Sequence, residues 1–150
     1  MRVVPLLIGL QAATLVVAAC SDPTPTLPKG PGWHVVAERG NGNWPSLAVR
    51  KNSEHDLAVV VIVSGGCPNG GPNTPEFAGF QATPDGLAAL VTRAPLPSDR
   101  KRCLVTSGVE FDVLLDLTSV PRSATTLVLG GAACPPGDDF CSAVHADVPR

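Results

Sequence analysis

Leu57-Ala58-Val59-Val60-Val61-Ile62-Val63 holds four valines and one isoleucine in seven residues, with no polar side chain, proline or glycine. Side chains branched at Cβ are stiff and fit the pleated backbone of a strand better than a helix. Apolar residues occupy both parities of the run. A strand of this composition needs cover on both faces and belongs in the interior of a sheet. A buried helix is the rival reading, and the β-branched content decides for the strand. Working backwards, Asn52-Ser53-Glu54-His55-Asp56 is a polar turn, and residues 46–51 make a return strand. Before it, Arg39-Gly40-Asn41-Gly42-Asn43 is rich in residues that tolerate positive φ and suits a hairpin. Trp33, Val35 and Ala37 then alternate with His34, Val36 and Glu38 in a first strand.

Forward of residue 63, a Gly/Pro-rich stretch over residues 64–76 reads as a long loop around Cys67. Thr83-Pro84-Asp85-Gly86 is either a helix start or a turn, and Gly86 inside a first helical turn favours the turn, into a strand over residues 87–93. Residues 103–106 form a short strand, with a turn or bulge at Ser107-Gly108. Phe111, Val113, Leu115 and Leu117 alternate with Glu110, Asp112, Leu114 and Asp116, which describes a half-buried strand with an acidic outer face. Residues 125–129 make another strand, stopped by Gly130-Gly131. Val144, Ala146 and Val148 alternate with His145 and Asp147 in a last one. Seven or eight short strands without a long helix predict an all-β fold, an antiparallel β-sandwich of immunoglobulin-like type.

The first residues read differently. Arg2 is the only charge before Asp22, and an apolar stretch follows it, ending in Val17-Ala18-Ala19-Cys20. A positive start, an apolar centre and small residues at the end describe a secretory signal. The last four residues resemble the lipobox of bacterial lipoproteins. That resemblance implies cleavage between Ala19 and Cys20, acylation of Cys20, and anchoring to a membrane through the lipid. Ser21 after the cysteine implies the outer membrane where a cell has two. Residues 20–32 carry Pro23, Pro25, Pro28 and Pro31 with Gly30 and Gly32, a composition that favours an extended tether. The expected organisation is a signal peptide over 1–19, a lipidated tether over 20–32 and a sandwich domain over 33–150.

Cys67, Cys103, Cys134 and Cys141 remain, an even number in an exported domain that meets oxidising chemistry. Four cysteines allow three pairings. Turn formers between Cys134 and Cys141 let those two meet locally, which leaves Cys67 with Cys103. Residues 57–131 resemble the small cysteine-paired β-sandwich domains of many bacterial lipoproteins, a likeness that implies fold and no activity.

The chain has 150 residues, 11 basic and 13 acidic, with a net charge of −2. A nucleic-acid binder would carry a basic surplus. His34 and His145 are expected on outward strand positions and His55 in a turn, with no ligand spacing between any two, so no metal and no cofactor are expected. Ser53, His55 and Asp56, and Asp139, Ser142 and His145, are triad residue types crowded locally, whereas triads assemble from distant segments. No nucleophile elbow, zinc-protease motif or phosphate loop is present, and no catalytic residue is assigned. Asp138-Asp139 lacks the remaining ligands of a calcium loop. Arg100-Lys101-Arg102 is a basic run able to meet lipid headgroups or the acidic face of residues 110–116. The expected function is a non-catalytic envelope lipoprotein that binds a protein partner or plays a structural part. The alternatives are an inhibitor acting through the 64–76 loop and a hydrolase with a site assembled in space.

Overall fold

The computed structural model describes residues 25–36, 45–65, 73–84, 86–94, 108–137 and 144–150. Among them are eight strands and no helix: β1 (His34–Val36), β2 (Ser46–Lys51), β3 (Asp56–Ser64), β4 (Pro75–Thr83), β5 (Gly86–Arg93), β6 (Gly108–Asp116), β7 (Thr126–Gly131) and β8 (His145–Asp147). They form two four-stranded sheets, ordered β1-β2-β3-β6 and β4-β5-β7-β8. The all-β two-sheet architecture is the expected one. Two details differ. The strand order is not the immunoglobulin one, in which the fourth and fifth strands extend the sheet begun by the first two. And β7 lies parallel to β5, because the chain leaves β5, crosses to the other sheet as β6 and comes back running the same way.

The run 57–63 forms most of β3, an interior strand paired with β2 and β6. Leu57, Val59, Val61 and Val63 point into the core between the sheets, where they meet Leu87, Ala89 and Val91 of β5 and Leu127 and Leu129 of β7. Val60 and Ile62 point the other way and are also buried, in a second cluster with Ala48, Leu27 and the partly buried Trp33. What covers the outer face is therefore the segment before β1. Leu27 is 7% exposed. The Pro/Gly-rich stretch read as a tether to residue 32 belongs to the folded unit at least from Leu27 onward. Trp33 joins this outer cluster, whereas Val36 reaches the common core and Val35 is 43% exposed.

β4 departs from the sequence expectation: its first two residues, Pro75 and Glu76, belong by composition to the loop over 64–76, and the rest shows no alternation. The register with β5 shifts between Phe77 and Gly79, a bulge with Gly79 at φ +111°. The extra residue lets Phe77 and Phe80, three apart, both pack on the core. Their rings meet edge to face at 5.3 Å, and Phe77 lies 6.2 Å from Phe111 of β6, joining the two sheets along one side. Gly130 and Gly131 are the last two residues of β7, which does not stop at Leu129. A Cβ on Gly131 would overlap the Val91 carbonyl oxygen, so the parallel approach to β5 needs glycine there. The turn at Thr83 and Pro84 and the strand after it are as read. The strand over 103–106 and the body of the loop, residues 66–72, lie outside the described residues.

Candidate functional site

Strand directions sort the connections by end. β3 and β5 finish at one end, called upper here, where Arg93 closes the gap between the sheets. Its Nη2 donates to the Ser64 carbonyl at 2.5 Å and to Ser64 Oγ at 3.3 Å. Burial pushes the guanidinium pKa down from its ordinary value. Because β7 runs parallel to β5 and β4, β6 and β8 start where these strands end, the strand ends joined by the links 65–74, 94–107 and 132–144 all stand at the upper end. Cys67, Cys103, Cys134 and Cys141 are carried by those three links. Cys134 is half-buried, its N–H donates to Gly131 O at 3.2 Å, and it is disulfide-bonded. Cys67, Cys103 and Cys141, together with Ala19 and Cys20, lie outside the described residues, as do Arg100-Lys101-Arg102 and Asp138-Asp139.

The histidines are exposed, as expected. Sequence spacing did not show that two of them share a depression. His34 of β1 and His145 of β8 line one of about 430 Å³, with Trp33, Val35 and Asp147. Among the described residues no group of three or more His, Cys, Asp or Glu side chains could hold a metal ion. His55 lies at the lower end, in an open hollow of about 630 Å³ with Glu54, Thr118, Arg122 and Arg150. Arg150 is held there by the carbonyls of Pro121 and Ala124, at 2.8 and 2.9 Å. Asp116 accepts from the Thr118 N–H at 2.8 Å and from Thr118 Oγ1 at 2.7 Å. These bonds, with a smaller contribution from His55, hold its carboxyl below the usual range.

The outer face of the first sheet carries the most distinctive chemistry. β6 alternates as expected: Val109, Phe111, Val113 and Leu115 pack on the core, while Glu110, Asp112, Leu114 and Asp116 are exposed. Leu114, between two aspartates, is 66% exposed. Beside it is a depression of about 270 Å³ walled by Trp33, Arg50, Ala58, Val60 and Asp112. The Arg50 guanidinium stacks over the Trp33 ring at 4.9 Å, and its Nε is buried without a hydrogen-bond partner. Glu110 is pushed up from the ordinary carboxylate value by desolvation and then by the negative charge of Asp112. The acidic row was legible from alternation. The Trp33–Arg50 stack was not, because it joins residues from two segments with no shared pattern.

No protein family matches this chain, and neither does any curated protein or solved structure.

Proposed function

We propose that the chain is a lipid-anchored protein of the cell envelope, held to the membrane through Cys20, whose sandwich domain binds a partner protein without catalysing a reaction. The reading is carried by Val17-Ala18-Ala19-Cys20 closing an apolar stretch that begins after Arg2. Leu27, seven residues beyond Cys20, is already buried in the domain. An extended chain of that length spans at most about 25 Å. The domain would therefore sit close to the lipid instead of standing off on a long spacer. Several acyl chains on one residue anchor durably where a single chain does not. Two disulfides, Cys67 with Cys103 and Cys134 with Cys141, belong to the same proposal, and the strand ends that flank their links, all at the upper end, favour it.

Metabolic labelling with a fatty acid tests the anchor. The wild-type chain takes up label and fractionates with membranes, with the outer membrane where there are two. Cys20→Ser takes up none and accumulates as uncut precursor. Equal labelling of the two would overturn the reading.

A further inference from the structure

We infer that β6 is a docking edge, and that its occupant is an extended basic segment of a partner protein, added as a fifth strand to the first sheet. This deepens the protein-binding role proposed above and does not depend on lipidation.

A sheet edge presents unpaired N–H and C=O groups and invites further strands, so proteins blunt their edges. Among the described residues the two sheets have four edges, formed by β1, β6, β4 and β8. Three are blunted. β1 and β8 span three described residues each. β4 starts on Pro75 and is broken by the bulge at Gly79. β6 has nine residues, contains no proline, and pairs with β3 without a register shift. Among the described residues, none of positions 109–115 makes a backbone hydrogen bond outside that pairing. Every second residue of β6 thus turns its peptide groups outward along a straight edge.

The side chains select what can pair there. Glu110, Asp112 and Asp116 share the outer face, and like charges set opposite each other in adjacent strands are destabilising. A second copy of the same edge would bring such rows together, so self-pairing is disfavoured. A strand with lysine or arginine at alternate positions would instead place a cation beside each carboxylate. It would also relieve the crowding between Glu110 and Asp112. Leu114 interrupts the acidic row and offers an apolar contact, with the depression walled by Trp33 and Arg50 next to it. Strand addition of this kind draws affinity from main-chain hydrogen bonds and specificity from alternate side chains.

The test uses the full chain in detergent and a labelled nine-residue peptide of alternating lysine and valine, read by fluorescence anisotropy. The expected result is saturable binding with slowed amide exchange along β6. Affinity falls at least tenfold in the double variant Glu110→Lys, Asp112→Lys. Both positions are exposed, and a wild-type melting curve verifies that the variant is folded; Asp112→Asn, with a smaller loss, serves as a milder second variant. A peptide N-methylated at alternate residues keeps the charges and loses the backbone bonds, and it should not bind. Absence of saturable binding overturns the proposal. So does equal binding of the N-methylated peptide, or equal binding by both variants. If only a chain carrying Arg100→Ser, Lys101→Ser and Arg102→Ser binds, the molecule's own basic run fills the edge and the partner is ruled out. Cys20→Ser should bind the peptide like wild type, so a failed anchor and a failed edge give different results.

Discussion

Replacing Leu27 by alanine tests whether the segment before β1 is part of the fold. The side chain is 7% exposed and packs in a cluster with Ala48, Val60 and Ile62. Truncation removes three carbons, worth about 0.8 kcal/mol each when buried, or about 2.4 kcal/mol in all. The cavity penalty that raises such losses inside rigid cores is small here, because a surface segment can settle into the space. A single domain of this size loses about 3–5 °C of melting temperature per kcal/mol, so Leu27→Ala should melt about 7–12 °C below wild type. Thr26→Ala, at an exposed neighbour, should melt with wild type. Thermal unfolding by circular dichroism reads both. If Leu27→Ala melts within about 1 °C of wild type, residue 27 lies in a free tether, and something else covers Val60 and Ile62.

Val61→Asp places a carboxylate at a fully buried position facing the opposite sheet and should cost several kcal/mol, leaving little soluble folded protein; a wild-type melt would refute the placement of the core. Gly131→Ala, at φ +65° against the Val91 carbonyl, should destabilise by more than about 1 kcal/mol, whereas Gly137→Ala, at φ +85° in open space, should cost less by denaturant titration. Glu110 has a folded pKa above its unfolded one, so its ionisation opposes folding at neutral pH and this opposition fades as pH falls through the folded value. Glu110→Gln should therefore raise the neutral-pH melting temperature slightly and leave the acid melt unchanged. The depressed pKa of Asp116 gives the opposite slope: Thr118→Val should lower stability at neutral pH, and the difference should vanish below the folded pKa of that carboxyl.

The strands that were legible are those whose physics is local. β3 follows from β-branched residues at both parities, and β6 and β8 from strict alternation. β4 escaped because its bulge converts a period of two into a spacing of three, and because Pro75 reads as loop. The parallel pairing of β5 with β7 escaped because β6 intervenes in sequence and no local pattern encodes a partner across two sheets. Leu27 escaped for a related reason. One leucine among prolines has no periodicity, and only the fold shows what it covers. The candidate site divides the same way. The acidic face of β6 was readable, but the Arg50–Trp33 stack, the Arg93–Ser64 clasp and the shared depression of His34 and His145 all join distant segments.

The strap from Leu27 to Trp33 has a mechanical consequence. On the proposed anchoring at Cys20, any pull between membrane and domain enters the molecule at Leu27. The strap lies on the outer face of the first sheet and is not hydrogen-bonded into it as a strand. Force therefore peels one apolar side chain at a time instead of shearing a row of backbone bonds. Lifting Leu27 would release the six residues up to Trp33, about 20 Å of extra reach at full extension, while both sheets stay closed. The strap would act as a breakaway link that lengthens the leash under tension and re-seats when the load is removed.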